Sequence, residues 1–204
     1  MPDIQSDIDP DSGSRLPLPR REDLPAAARE IFDQLAGPDT RSLVGLYGPG
    51  GLRLHSPELA AIAQPLNRYL RWETGLPGAI REIAILVTAR AHDCQFEWAQ
   101  HEPAALAEGV SRETIEAIRG GGPVDGLDEA GAATIALGRE LFEAHRVSAA
   151  TYARAHAAFG TRGLVDLVSL MGMYAATAAL LAAFDVQLRP GQQARLPKRE
   201  GPKT

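Results

Sequence analysis

Cys94, Glu97 and His101 are the residues of this chain whose types and spacing best suit chemistry. Positions i, i+3 and i+7 share one face of a helix, so the three side chains project together, with Trp98 beside them. A thiol, a carboxyl and an imidazole on one stripe make a candidate nucleophile and two candidate acid–base groups. A plainer reading stands next to this one. A lone cysteine often serves as a small buried hydrophobe, and a Glu–His pair at i, i+4 can be a surface ion pair of a few tenths of a kcal/mol, roughly.

The elements that must position this stripe read as helices almost throughout, with no strand-like alternation and no internal repeat. The first runs from about Leu24 to Ala36, capped by Asp23 and stopped at Gly37-Pro38. Leu46-Tyr47-Gly48-Pro49-Gly50-Gly51 is expected as a loop. It is not a phosphate loop, because it lacks the Gly-Lys-Ser/Thr ending and no strand precedes it. Ser56-Pro57-Glu58 opens a helix to about Thr74, which Pro65 should kink. A broad apolar face (Ile80, Ile83, Ala84, Leu86, Val87, Ala91) marks the next helix from near Pro77. Polar character rises at His92-Asp93, and a second segment carries the stripe from about Cys94 to Glu108. Ser111 to Gly120, Asp128 to about His145, Ser148 to Phe159, and Gly163 to about Phe184 complete an all-α domain.

The domain is expected over residues 23–189, with a flexible arm over 1–22 and a flexible tail over 190–204, both rich in proline and charge. A net charge of -5 without a Lys/Arg stripe excludes an electrostatic footprint for nucleic acid and disfavours a membrane surface. One cysteine permits no intrachain disulfide and no CxxC pair, which fits a reducing compartment. The acidic start shows no signal-peptide pattern, so a cytoplasmic location is expected. Leu164 to Val186 is the longest apolar stretch. Asp166, Ser169, Gly172 and Thr177 interrupt it, so it reads as a buried core helix rather than a membrane span.

Glu82-x11-Cys94-x2-Glu97-x3-His101 resembles the Glu-x11-Cys-x2-Cys-x3-His signature of alkylhydroperoxidase-like proteins, with Glu97 in place of the second cysteine. Glu97-Trp-Ala-Gln-His101, with Ala104-Ala105 and Gly109-Val-Ser after it, is similar to the carboxymuconolactone decarboxylase branch of the same family. Asp166 to Tyr174 and the residues after it resemble that branch's Glu…Tyr-x-Gly-x-Pro run, with Ala176 and Ala178 where its Gly and Pro would stand. Together these stretches cover roughly residues 50 to 190.

The resemblance implies a single-domain, multi-helix alkylhydroperoxidase-like fold that assembles as a homotrimer or hexamer. It leaves two chemistries open, because features of both branches are present and neither set is complete. In the peroxidase branch one cysteine attacks peroxide and the other resolves the product, so a single cysteine would need an external thiol. A carboxylate three residues from Cys94 opposes thiolate formation, whereas an imidazolium at His101 would favour it. Glu97 and His101 are the pair that the decarboxylase branch retains, and they move protons without redox chemistry.

The reading that follows is acid–base chemistry on a small carboxylated or carbonyl substrate, with no cofactor and no metal. His101 is the proton donor or base, Glu97 orients it or acts as its partner, and Glu82 sets the position or protonation of the cluster. Arg81 is a carboxylate clamp, and Cys94 a bystander or a pocket wall. Trp98, Tyr174 and His92 are candidate substrate contacts. For Tyr174 the plainer role is a core tyrosine with a satisfied hydroxyl, and His92 reaches the stripe only if the helix breaks beside it. His55, His145 and His156 read as structural or surface residues. Glu97 and His101 have metal-ligand spacing, but a site needs a third ligand and none is close in sequence. Two other functions are a one-cysteine hydroperoxide reductase using Cys94, and a non-catalytic small-molecule binding protein.

Overall fold

The computed structural model describes residues 7–123 and 126–197. Among these the chain forms eight α-helices and no strand, only an isolated bridge between Asp9 and Ser14, so the fold is all-α. Two compact units are built from it. One takes the residues up to Asn67 together with Ala179–Gln192, the other Arg68–Ala178 together with the residues from Gln193 onward.

In the first unit, α1 (Ala26–Ala36) follows a single 3-10 turn at Arg21–Asp23. Its buried residues Ala28, Ile31 and Leu35 recur at helical spacing and pack with Leu24, Leu54 and Ala60. The segment read as a loop over 46–51 differs in its second half. Pro49, with φ pre-set and no N–H to lose, starts the short α2 (Pro49–Leu54). Gly51 is required there, because a Cβ would lie 2.0 Å from the Leu46 carbonyl oxygen. Of the stretch expected as an arm, residues 1–6 lie outside the described ones. Further on, the Arg15 amide donates to the Phe184 carbonyl, and the Gln187 amide donates to the Gly13 carbonyl. Of the expected tail, residues 198–204 lie outside the described ones. α3 (Pro57–Arg68) carries Pro65 in its interior and gives way to a π-helical turn at Tyr69–Glu73.

The second unit is organised around α4 (Gly78–Ala91), whose residues Ile80 to Ala89 are all buried. A helix apolar on every side must be covered on every side. On one flank, Ile80, Ala84 and Ile85 pack with Ala133 and Leu137 of α7 (Glu129–Arg139), and with Leu167, Leu170 and Met171 of α8 (Ala149–Ala183). On the other, Ile83, Leu86 and Val87 pack with Trp98 and Ala105 of α5 (Gln95–Ala107) and Ile115 and Ile118 of α6 (Arg112–Gly120). Ser111 caps α6 by accepting from the Thr114 amide, and Asp128 caps α7 by accepting from the Gly131 amide. The helix expected to run on to His145 instead widens into a π-helical turn at Glu140–Ala144.

The two helices expected over 148–184 are present as the two segments of α8 and are separated at Gly160, whose φ of 64° and ψ of 179° are non-helical. Only glycine adopts that conformation readily. α8 is long and apolar enough to cross a membrane by length and composition. Leu164, Leu167, Leu170, Met171 and Tyr174 lie in the core of this unit.

α4 and α7 meet closely at Gly138, where an added Cβ would fall 2.5 Å from Val87 Cγ1 and 3.3 Å from the Met171 methyl. Valine is stiff at χ1 and this one is buried, so it cannot swing clear. Gly138→Ala should therefore destabilise the protein by about 1–3 kcal/mol, despite alanine's better helix propensity. Urea unfolding measures it, and Val87→Ala in the same chain should recover part of the loss.

Candidate functional site

The stripe is placed by the junction between α4 and α5. The Cys94 amide bonds back to the Ala89 carbonyl at 2.8 Å, and the Asp93 amide to the Arg90 carbonyl at 3.2 Å. This pair of bonds is a Schellman closure, with Asp93 at a φ of 50° in the left-handed position. It stops α4 and lets α5 start at once, so Cys94 is the residue that precedes the first turn of α5. α5 then lies along α4, and Glu97 and His101 face Glu82.

His101 is held between two carboxylates. Its Nδ1 lies 2.6 Å from Glu82 Oε2 and its Nε2 lies 3.3 Å from Glu97 Oε2, and all three residues are buried. Tyr174 of α8 stands edge-on to the imidazole, with ring centroids 5.2 Å apart and planes at 87°. Burial works against a charged imidazole, but the hydrogen bonds and negative charge of Glu82 and Glu97 outweigh it and raise the His101 pKa. Burial likewise works against ionised Glu82. The hydrogen bond from His101 and the charges of His101, Arg71 and Arg81 prevail, and its pKa is lowered. The two residues form a buried ion pair with its proton on the ring. Burial also raises the Tyr174 hydroxyl above its usual range, so it stays protonated.

Cys94 is buried within reach of the Glu97 charge, and its thiol is pushed up to about 12. Burial is the main cause and the charge of Glu97 the second. The Phe96 and Glu97 amides at the start of α5 favour the thiolate but do not overcome them. The thiol is therefore almost wholly protonated at neutral pH.

Of the other expected residues, Arg81 is buried and fully engaged. Its Nε lies 3.3 Å from Glu82 Oε1, its Nη1 donates to the Arg71 carbonyl, and its Nη2 donates to Glu108 Oε1 at 2.8 Å. Trp98 is completely buried and donates its indole N–H to Glu102 Oε2 at 2.8 Å. Arg119 lies 5.3 Å from the Trp98 ring, and Arg195 donates to Glu102 Oε1. His92 is exposed at the end of α4 and packs edge-on against Phe142. The structure thus gathers Glu82, Glu97, His101 and Tyr174 into one cluster, with Arg81 against Glu82 and Cys94 near Glu97. Trp98 and His92 belong to other surroundings. Among the described residues no group of three His, Cys, Asp or Glu is arranged to hold a metal ion.

Arg71 was not among the expected site residues. It is buried in the π-helical turn, and its charge acts on Glu82 and Tyr174. The available signal was a lone arginine within the otherwise apolar run Tyr69-Leu70-Arg71-Trp72.

Residues 57–140 match the model of the carboxymuconolactone decarboxylase family. The matched stretch contains Arg71, Arg81, Glu82, Cys94, Glu97 and His101, and ends before Tyr174. No curated protein matches the chain.

Proposed function

We propose that the chain is an enzyme of the lyase type, carrying out decarboxylase-like acid–base chemistry on a small carboxylated or carbonyl substrate without a cofactor. The observation that carries this reading is the imidazole of His101, bracketed by buried carboxylates on both ring nitrogens. When carbon dioxide leaves a carboxylated substrate, the electron pair of the broken C–C bond stays on carbon and must take up a proton. A buried imidazolium is a suitable donor. Glu82 on Nδ1 fixes the ring and sustains its charge, and Glu97 on Nε2 lines the side from which the proton leaves. Solvent then returns the proton to the ring.

The alternative, a hydroperoxide reductase, needs a thiolate at Cys94. A thiol held near 12 beside a carboxylate argues against it. A panel of carboxylated lactones and keto acids in deuterated water tests the lyase reading. Carbon dioxide release with deuterium entering the product is expected in wild type and in Cys94→Ser, and not in Glu97→Gln. Release that depends on Cys94 and not on Glu97 would overturn it.

A homotrimer or hexamer in the cytoplasm belongs to the same reading. Leu59, Ile62 and Leu66 support self-association, since they form an exposed apolar stripe at i, i+3, i+7 along α3. Sedimentation equilibrium decides it, and a monomer at micromolar concentration would count against it.

A further inference from the structure

Arg71 of the second unit makes no direct ion pair among the described residues and shares only the more distant charge of Glu82. Arg71 is only 8% exposed, and its Nε is a buried donor without a hydrogen-bond partner. Its guanidinium carbon sits 4.6 Å from the centroid of the Trp72 ring, which Arg81 also approaches at 4.6 Å. The two arginines nonetheless differ. Arg81 is neutralised by Glu82 and Glu108, each within ion-pair distance. Arg71 has no carboxylate within ion-pair distance among the described residues: it lies against the Trp72 indole, and the charge of Glu82 reaches it only from farther off. Burying a guanidinium is costly unless something compensates it, and its fork of donors matches a carboxylate in two parallel bonds. Trp72 beside it is partly exposed, which gives the position an edge toward solvent.

We infer that Arg71 is the anchor for a carboxylate of a small organic acid, seated on the Trp72 side of the His101 cluster. This names the substrate class of the site proposed above and in that sense rests on that reading, but the anchoring itself requires no turnover. Arg81, each of whose three nitrogens donates to a partner, holds Glu82 and the backbone of Arg71 in place. The acid thus meets one guanidinium with an unpartnered buried Nε and another that positions the first.

The indole N–H resonances of the 15N-labelled full chain provide the test, because the protein has two tryptophans and only Trp72 lies at Arg71. Titration with 4-oxopentanoate should shift the Trp72 signal in a saturable way. The Trp98 signal, tied to Glu102, should stay in place and report that the fold is intact. The neutral 4-oxopentanamide should bind at least about tenfold more weakly, as expected for loss of a charge-assisted pair. Arg71→Met should lose a similar factor for the acid, and Arg71→Lys less. Equal binding of acid and amide, or no saturable shift with the acid up to 50-fold above about 1 mM, would overturn the inference. Should Arg71→Met fail to fold, the comparison of acid with amide on the unaltered protein decides alone. Binding of the acid through Arg71 with no chemistry on any substrate would leave the anchor standing and remove the lyase reading.

Discussion

His101→Asn and Glu97→Gln should each lower turnover by about 10²–10⁴-fold, the usual worth of a positioned acid or base. Cys94→Ser should leave turnover near that of wild type. Asparagine keeps an acceptor and a donor near the Glu82 and Glu97 carboxylates but cannot carry a proton across. Glu97→Gln keeps the size of the side chain and removes one of the two charges that hold the ring protonated. Its rate profile should therefore shift as well as fall, with the apparent pKa of His101 moving down toward the ordinary imidazole value. A change in substrate affinity alone, with the maximal rate intact, would show that Glu97 binds rather than reacts. Solvent-deuterium incorporation by wild type and variants at several pH values measures both quantities.

Glu82→Ala should cost about 3–5 kcal/mol of stability, the typical loss when one partner of a buried pair is removed. The Glu82 side chain is 2% exposed and accepts from His101 while facing Arg81. Without it, the imidazolium and two arginines lose their shared counter-charge. Glu82→Gln should lose less, because an amide oxygen still accepts from Nδ1. The pH dependence follows from the two shifts. His101 is raised on folding, so its contribution is complete below about 6.5, the free imidazole value, and fades as pH rises through the folded value. Glu82 is lowered, so its contribution is complete above about 4.3, the free carboxyl value, and fades as pH falls through the folded value. Both are complete between those limits, and wild type should be most favoured over Glu82→Ala there. Urea titrations across pH 3–9 check this, and a difference that does not vary with pH would show that the pair is not ionised.

The helices were largely legible because their ends carry local chemistry. Ser111 and Asp128 act within one turn, and the structure starts a helix directly after each of them. The stripe of Cys94, Glu97 and His101 was legible because helical spacing fixes it. What lies across from the stripe was not. Glu82 entered the site through a family resemblance, and its 2.6 Å contact with His101 depends on how α4 and α5 pack after the Asp93 turn. Trp98 neighbours the stripe in sequence, but one residue is 100° around a helix, and it faces Glu102 and the core instead. Arg71 escaped notice because burial of a charge is a tertiary property, and the π-helical turn carrying it has no sequence signature of its own. The same holds for Pro49, whose helix start was hidden within a glycine-rich stretch.

The measurement that separates proton chemistry from redox chemistry most directly is the rate at which Cys94 is oxidised by a modest excess of organic hydroperoxide, followed by intact mass. A buried thiol held near 12 should react no faster than an ordinary free thiol, with turnover of carboxylated substrates surviving the treatment. Rapid, stoichiometric sulfenic acid at Cys94 that disappears in His101→Ala would contradict the acid–base reading and make His101 the activator of a peroxidatic cysteine.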